Sequence, residues 1–541
     1  MSISLPRRPK MTANSLLLLV VAFIVLALNS RFWSIVFESP GLSGFHGVVV
    51  LFAVGCALAG ITLLALLPLS LRWTFRPGLA LMLVAAAGAS YFMTRYGAVI
   101  DRHALASVYE TDAREATEWL NLGMVLMIVG LGAIPAAALW WVDIDWKSGF
   151  RELFSRLKLL LLAGALIVVA ALSAGKDVAS LVRNRTELRH IANPLALISA
   201  NLSYLDHARG DSHAFEKIGE DARRGIALAP TTRPVVLVLA VGESARAESF
   251  SASGYARPTD AEMLATGAVY FRDVRSCGTN TATSLPCMFS GLGRKDYEDG
   301  VAKYRENLLD VLKRGGYDVV WLDNNTGSKY VAKRMTEVFL ADGKDPKLCN
   351  PEGCYDQVLV DELRKRLPAV TRDTVFVIHM LGSHGPAYYA RYPADFAKFT
   401  PECRSNALQQ CSDAQLHNTY DNTIAYTNHI LAQTVAVLRD DARIDPALLF
   451  LSDHGESLGE KGLYLHGAPY AIAPDEQTHV PMMLWASDRY ATRRGVDLAC
   501  TRSRAGAKLS HDNYFHTTLA LADVKSNVYS AELDALKGCL K

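Results

Sequence analysis

One short stretch of the chain places four hydroxyl side chains between two cysteines. Residues 276–290 read SCGTNTATSLPCMFS, and the hydroxyls between Cys277 and Cys287 belong to Thr279, Thr281, Thr283 and Ser284. An alcohol becomes an effective nucleophile when a metal ion lowers its pKa, as zinc lowers that of bound water from about 15.7 to about 7. We therefore expect one of these hydroxyls to be a covalent nucleophile. A structural turn closed by a disulfide is the alternative that these residues alone leave open.

Candidate metal ligands stand at or just after the apolar runs that are typical of strands. They are Glu243, His379, His384, Asp453, His454 and, twelve residues further on, His466. The ends of parallel strands meet at one edge of a sheet, so these side chains can converge on one ion. A mixture of carboxylates and imidazoles suits zinc. Any one of the histidines alone would be interpreted as structural, and we keep that interpretation for His379, which ends its strand.

The elements that must position these residues lie beyond residue 232. Apolar runs at 234–241, 318–322, 374–379, 447–452 and 481–485 alternate with helical stretches such as 355–367 and 421–439. Strands that are apolar on both faces and separated by helices indicate a mostly parallel sheet covered on both sides. We therefore expect an α/β domain with helices on both faces of the sheet.

The part of the chain before residue 176 is far more apolar. Of the 541 residues, 50% are hydrophobic and 20% are charged. Crossing a bilayer takes about 20 apolar residues, and five segments are long enough: 13–30, 46–71, 78–95, 119–142 and 157–175. No small-residue cleavage site comes after the first segment, so we expect a retained anchor and five transmembrane helices.

Basic residues between the spans predict the orientation. They precede the first span, come after the second and separate the fourth from the fifth: Arg7, Arg8, Lys10, Arg72, Arg76, Lys147, Arg151, Arg156 and Lys158. Such residues stay in the cytoplasm, so an odd number of spans carries the rest of the chain across the membrane. The amphipathic stretch 176–232 is expected to lie on the outer membrane face as a linker. A net charge of +2 without a basic run argues against nucleic-acid binding.

The positions of the cysteines agree with the prediction that the chain after residue 176 is carried across the membrane. Eight of the nine cysteines lie in the exported part, and an even number there indicates disulfides formed in an oxidising compartment. Pairing neighbours joins Cys277 to Cys287, Cys349 to Cys354 and Cys403 to Cys411, and leaves Cys500 and Cys539. The sequence does not establish this connectivity. A zinc–cysteine site is disfavoured because no C-x-x-C pair occurs, and Cys56 is interpreted as an inert thiol within a span.

Seven longer motifs occur in order along the chain: VGESARAESFSASGYARPT, SCGTNTATSLPCMFSGLG, WLDNNTGSK, GSHGPAYYARYP, KFTPEC, SDHGESLGEKGLYLHGAP and QTHVPMMLW. With the five spans, they resemble the lipid A phosphoethanolamine transferases, the membrane family behind polymyxin and colistin resistance in Gram-negative bacteria. The resemblance implies an alkaline-phosphatase-like α/β/α domain in 233–541, facing the periplasm from an inner-membrane anchor in 1–175. It also implies that a monomer moves phosphoethanolamine from phosphatidylethanolamine to lipid A, releasing diacylglycerol, through a phosphorylated threonine.

The resemblance also implies roles for individual residues. Thr281, the second threonine of C-G-T-x-T-A, matches the nucleophile, and Glu243, Thr281, Asp453 and His454 match the ligands of a tightly bound zinc ion. His384 and His466 match a pair that contacts the phosphoryl group or a second zinc ion. The positions that match the substrate headgroup site are Thr326, Lys329, Ser107, Thr111 and Glu115. Ser107 departs from the asparagine usual in the family, which puts the detailed headgroup contacts in question.

Three other functions fit parts of this pattern. A related transferase would modify the heptose or Kdo sugars of the lipopolysaccharide core. A phosphodiesterase or sulfatase of the same superfamily would transfer the group to water. A non-catalytic membrane sensor would be expected to have lost a ligand, yet Glu243, Thr281, Asp453 and His454 are all present.

Overall fold

The computed structural model describes residues 8–39, 42–110, 113–210, 214–343 and 345–540, without the side chains of 110, 113–115 and 207–210. The chain forms two compact units. The first consists of Met1–Leu105 and Leu120–Leu205, and the second of Ala106–Trp119 and Asp206–Lys541. The second unit is therefore built from two separate parts of the sequence.

Most of the described residues between 13 and 210 are helical. They are α1 (Ala13–Ala27), α2 (Ser30–Phe37), α3 (Gly44–Leu66), α4 (Phe75–Arg95), α5 (Arg102–Glu110), α6 (Ala113–Trp119), α7 (Leu122–Met127), α8 (Ile134–Trp141), α9 (Phe150–Asn184), α10 (Leu188–Ile191) and α11 (Leu195–Gly210). A π-helical stretch, Ile128–Ala133, joins α7 to α8.

Among the described residues, four helical segments are long and apolar enough to cross a membrane: Gly44–Ser70, Phe75–Arg95, Leu122–Trp141 and Phe150–Asn184. The pair α1 and α2 counts as a fifth if it is one span, although the two helices are bent by 55°. The structure thus supports a multi-pass membrane domain with four or five spans, against the five predicted. Helix α9 is kinked at Ala174, where the backbone is not helical, and the more polar sequence after the kink includes Lys176 and Asp177.

The core of the second unit is a seven-stranded sheet. Its strands are β1 (Val235–Gly242), β2 (Val269–Phe271), β3 (Asp318–Asp323), β4 (Thr336–Phe339), β5 (Thr374–His379), β6 (Asp445–Ser452) and β7 (Met482–Ala486). They lie in the order β2-β7-β6-β1-β5-β3-β4. The five strands from β6 to β4 are parallel, whereas β7 runs antiparallel to both of its neighbours.

Helices cover both faces of this sheet. The helices of the second unit beyond residue 260 are α12 (Ala261–Ala265), α13 (Thr281–Ser290), α14 (Gly293–Asp296), α15 (Asp299–Lys303), α16 (Leu308–Arg314), α17 (Gln357–Arg366), α18 (Asp413–Asp440), α19 (Asp475–Thr478), α20 (Asp488–Arg494), α21 (Leu498–Ser503) and α22 (Asp512–Leu521). Apolar residues of α13, α16 and α22 join alternate residues of β1, β5 and β6 in one core, while α17 and α18 pack on the sheet. Both faces of β1 and β6 are buried, which explains their unbroken apolar sequences.

All five predicted strands are present in the sheet, within two residues of their predicted ends. Two further strands, β2 and β4, were not predicted from the sequence. Each has only three or four residues and lies at an edge of the sheet, and β4 is largely exposed. A strand of only three or four residues carries little periodic signal.

Four disulfides close loops in the second unit. They join Cys277 to Cys287, Cys349 to Cys354, Cys403 to Cys411 and Cys500 to Cys539. Three of them span ten residues or fewer, so they fix local loops. The thiol of Cys56 is free and buried in α3.

Replacing Leu237 with alanine tests the assignment of β1 to the core. Leu237 is 0% exposed, so the cavity should lower the free energy of unfolding by about 2–5 kcal/mol. Thermal unfolding of the full chain in detergent should show a lower midpoint. Ile226→Ala is the control, because Ile226 is 96% exposed and its loss should leave the midpoint unchanged. Equal midpoints for the two variants would contradict the core assignment.

Candidate active site

Four neighbouring parallel strands end at the same edge of the sheet, and each is followed by a polar loop. Register pairs Ser452 with Gly242, Val241 with His379, and His379 with Asp323, so β6, β1, β5 and β3 end side by side. The next residues along these loops include Glu243, Asp453, His384 and Asn325. This edge is where a parallel sheet gathers its functional groups.

Glu243, Asp453 and His454 form a buried cluster at this edge. Their ligand atoms all lie within 4.8 Å of one another. Nε2 of His454 is 3.2 Å from Oε1 of Glu243 and 3.4 Å from Oδ2 of Asp453. One imidazole thus faces two carboxylates in a region without solvent contact.

Electrostatics show that this cluster lacks positive charge. Burial, and then the charge of Glu243, raise the pKa of Asp453 to about 7. Although burial opposes its charge, the two carboxylates raise the pKa of His454 to about 10. Burial also opposes ionisation of Glu243, yet His454 holds the pKa of that carboxyl well below its usual range. One imidazolium therefore stabilises one carboxylate and leaves the second without a partner charge.

The donor set fits a metal ion. Oδ2 of Asp453 is buried and accepts no hydrogen bond from any residue that the structure describes. Nδ1 of His454 lies 2.9 Å from the carbonyl oxygen of Gly455, and donation there leaves the Nε2 lone pair facing the carboxylates. Two carboxylate oxygens and an imidazole nitrogen are ligands that zinc accepts, and a cation would supply the missing charge.

Thr281 places its hydroxyl against this cluster. Oγ1 of Thr281 donates to Oε2 of Glu243 at 2.9 Å and lies 3.3 Å from Nε2 of His454. Thr281 is the first residue of α13, and the Asn280 side chain caps the helix by accepting from the backbone N–H of Thr283 at 2.9 Å. The helix begins four residues after Cys277, and its free N–H groups favour an anion beside Thr281.

Two other hydroxyls of the cysteine-bracketed cluster have structural partners. Thr279 donates to the carbonyl oxygen of Ala468 at 2.7 Å, and Ser284 accepts from the N–H of Gly278 at 2.9 Å. Both are buried. The disulfide between Cys277 and Cys287 ties the loop before α13 to the helix itself, which holds the first turn of α13 in place.

A second group of possible ligands adjoins the first. His454, Glu456 and His466 also have ligand atoms within 4.8 Å of one another. Nδ1 of His466 lies 2.7 Å from Oε2 of Glu456, and Tyr388 donates its hydroxyl to Oε1 of the same carboxylate. Glu456 was not among the predicted site residues. The sequence did offer a signal, because Glu456 belongs to the motif S-D-H-G-E and lies ten residues before His466.

His384 stands next to this second group. The ring centroids of His384 and His466 are 5.8 Å apart, and those of His454 and His466 are 4.4 Å apart. Burial lowers the pKa of His384 to about 3, against the attraction of Glu243. The imidazole is therefore neutral at pH 7, which is the protonation state in which histidine binds a metal ion.

The ends of β3 and β5 contribute two positioning groups that were not predicted as site residues. Nδ2 of Asn325 donates to Oε2 of Glu243 and to the carbonyl oxygen of Met380, each at 3.0 Å. His379 is buried, and its Nδ1 lies 2.8 Å from Oδ2 of Asp323. Asn325 thus holds Glu243 in place, whereas His379 contacts Asp323, and the position of both residues at or just after a strand end was their signal in the sequence.

The structure places the predicted headgroup residues in two different segments. Thr326 and Lys329 are part-exposed in the loop after β3, directly after Asn325. Ser107 is part-exposed on α5. Thr111 and the side chain of Glu115 lie outside the described residues.

Comparison with known proteins gives matches along nearly the whole chain. Residues 58–209 match a family model described as phosphoethanolamine transferase EptA/EptB, and residues 235–524 match one described as sulfatase. Phosphoethanolamine transferase EptA of Escherichia coli K12 is 38% identical over 536 residues, covering 98% of both chains. Phosphatidylethanolamine transferase Mcr-1 of Escherichia coli is 34% identical over 529 residues, covering 94% of both.

The structure is similar to that of a solved relative. The integral membrane protein lipooligosaccharide phosphoethanolamine transferase A (EptA) from Neisseria meningitidis superposes with a TM-score of 0.95 at 34% identity, covering 98% of this chain and 100% of that chain. This match supports the expected architecture, a helical membrane domain followed by an alkaline-phosphatase-like domain.

Changing Asp453 to asparagine tests the metal site. The variant removes one of two buried carboxylates, so zinc affinity should fall by more than about tenfold. The measurement is the zinc content of the full chain after equilibrium dialysis. Asp445→Asn is the control, because Asp445 is buried at the opposite end of the same strand, β6. Equal zinc contents in the two variants would contradict a site at Asp453.

Proposed function

We propose a lipid substrate and a covalent mechanism for this chain, which belongs to the phosphoethanolamine transferase family. It would transfer phosphoethanolamine from phosphatidylethanolamine to lipid A and release diacylglycerol. The observation that carries this proposal is the hydrogen bond from the Thr281 hydroxyl to Glu243, made at a helix N-terminus beside a buried metal-binding group. A nucleophile, its base and an anion site therefore coincide.

Thr281 is the proposed nucleophile. Its hydroxyl gives its proton to Glu243 as Oγ1 attacks the donor phosphorus. The bond from phosphorus to the diacylglyceryl oxygen breaks, and that oxygen takes up the proton from Glu243 as diacylglycerol leaves. The hydroxyl oxygen of a singly protonated lipid A phosphate then attacks the phosphothreonine and gives its proton to Glu243. The bond from phosphorus to Oγ1 breaks, and Oγ1 of Thr281 takes up that proton.

Glu243, Thr281, Asp453 and His454 would hold a zinc ion, and His384 and His466 would face the phosphoryl group or a second ion. When bound, zinc supplies positive charge that lowers the pKa of a hydroxyl and stabilises phosphoryl oxygens. The chain itself contributes the free N–H groups of α13, directed at the same oxygens. The phosphoryl group is thereby oriented for attack by Oγ1.

The headgroup would be bound by Thr326 and Lys329 of the second unit, together with Ser107, Thr111 and Glu115. Lys329 suits the phosphate, and the carboxylate of Glu115 suits the ethanolamine ammonium. Ser107 stands where asparagine is usual in the family, and its side chain is shorter than an amide side chain, so it would reach less far towards the headgroup. We propose this set as the donor site.

The membrane domain would bring the enzyme to both of its substrates. We propose membrane spans in 1–175, a surface linker in 176–232 and a periplasmic catalytic domain in 233–541, with the basic loops in the cytoplasm. Donor and acceptor are lipids of one membrane, so tethering raises their effective concentration at the site. Adding an ammonium group to lipid A reduces its negative charge, which would weaken the attraction of cationic polymyxins and confer resistance.

Mass spectrometry of lipid A from a Gram-negative host that expresses the chain tests this function. The wild type should add phosphoethanolamine to lipid A, and Thr281→Ala should abolish the addition because no nucleophile remains. Thr279→Val is the matched control. Its hydroxyl bonds to the Ala468 carbonyl rather than to the acidic cluster, so the variant should keep the activity.

Three results would contradict the proposal. A wild-type adduct on core sugars, with lipid A unmodified, would indicate the core-sugar transferase. Release of phosphoethanolamine to water without any adduct would indicate a hydrolase of the same superfamily. Transfer by Thr281→Ala would exclude Thr281 as the nucleophile.

A further inference from the structure

The segment Ala106–Trp119 folds with the catalytic unit, although the chain on both sides of it belongs to the membrane unit. Glu118 anchors its end. The side chain of Glu118 accepts from Nη2 of Arg391, and its backbone oxygen accepts from Nδ2 of Asn406 at 2.6 Å. Glu118 is only 5% exposed and Arg391 only 3%. A short segment between two membrane helices thus ends in a buried ion pair.

The same guanidinium holds the loop that carries His384. Nε of Arg391 donates to the backbone oxygen of His384 at 2.7 Å, and Nη1 donates to the backbone oxygen of Glu352 at 3.1 Å. Arg391 therefore joins Glu118 to the main chain of a residue at the candidate site. The planar donors of arginine fix these three acceptors relative to one another.

A displacement of His384 would change its packing against the neighbouring histidines of the candidate site. Its ring lies 5.8 Å from that of His466, which in turn lies 4.4 Å from that of His454. His384 is buried, so packing and the hydrogen bonds of its main chain set the position of its ring. The contact from Arg391 adds to the hydrogen bonds that hold this loop at Glu243, Asp356 and Thr423, and it links the loop to Glu118.

We propose that Glu118 is a positioning residue for phosphoryl transfer. By neutralising Arg391, it keeps the guanidinium buried and bonded to His384, and so couples the segment 106–119 to the active site. The role in catalysis rests on the proposed function. The sequence predicts a headgroup contact from Ser107, which lies on the same segment, so this coupling would link the headgroup site to the phosphoryl site.

Three variants of the full chain in lipid nanodiscs test this role. Glu118→Gln removes the charge but keeps the size, and Glu118→Gln with Arg391→Met removes both charges. Asp373→Asn is the matched control, since Asp373 is a buried carboxylate paired with Arg224 at 2.9 Å beside the amino end of β5, away from the site. Each variant is compared for thermal midpoint, hydrogen exchange, and kcat and KM for phosphatidylethanolamine.

Glu118→Gln should speed hydrogen exchange in residues 382–392 while leaving 235–242 unchanged. Its kcat should fall by about 10- to 100-fold, as is typical when a group that orients an active-site residue is lost. The double variant should regain thermal midpoint, because no unpaired charge stays buried, but its kcat should remain low because His384 lacks its donor. Asp373→Asn should lower the midpoint and keep kcat.

Two outcomes would overturn the positioning role. In one, Glu118→Gln shows wild-type kcat and wild-type exchange in 382–392. In the other, the double variant regains kcat together with the thermal midpoint. That result would mean that Glu118 only neutralises the charge of Arg391 and does not position His384. Exchange is measured without substrate. If the wild type fails to transfer phosphoethanolamine, the proposed function fails, and the exchange in 382–392 still decides whether Glu118 holds the loop.

Discussion

The burial of two carboxylates side by side governs the design of this active site. Glu243 and Asp453 come directly after adjacent parallel strands, and the rigid sheet prevents them from separating. Burial, and then the charge of Glu243, raise the pKa of Asp453 even though the imidazole of His454 lies beside both carboxylates. A structure that keeps such a pair is arranged for a cation, because an unpaired buried carboxylate is costly.

The proposed nucleophile contacts one of the same carboxylates. Thr281 donates a hydrogen bond to Glu243, so the residue that would accept its proton also belongs to the candidate metal-binding group. The cap at Asn280 and the disulfide at Cys277 fix the first turn of α13, and with it the direction of the hydroxyl. Asn325 holds the other side of Glu243. The arrangement is thus preorganised, which is what phosphoryl transfer requires of a protein.

The catalytic unit is completed by chain from outside its own stretch of sequence. Residues 106–119 lie between apolar helices along the chain, yet they fold with the unit that contains the active site. The ion pair between Glu118 and Arg391 joins residues 273 positions apart. Under the proposed function both substrates are lipids, and such a link would hold a segment that lies between two apolar helices in the sequence within the unit that carries the candidate active site.

Local patterns in the sequence were enough to predict the features that depend on neighbouring residues. Apolar length predicted the membrane helices, unbroken apolar runs predicted β1 and β6, and close spacing pointed to three of the four disulfides. The same patterns placed Glu243, Asp453 and His454 at strand ends. From the residues alone, however, four hydroxyls were equal candidates, and only the motif resemblance selected Thr281.

Which side chains meet became visible only in the folded unit. There Thr281 reaches Glu243, Glu456 reaches His466, and Arg391 lies between His384 and Glu118. Sequence periodicity reports how each segment is buried, but it carries no information on which distant segment lies opposite. Contacts across the loops at the sheet edge depend on how those loops fold against each other, and that is settled only when the whole unit packs.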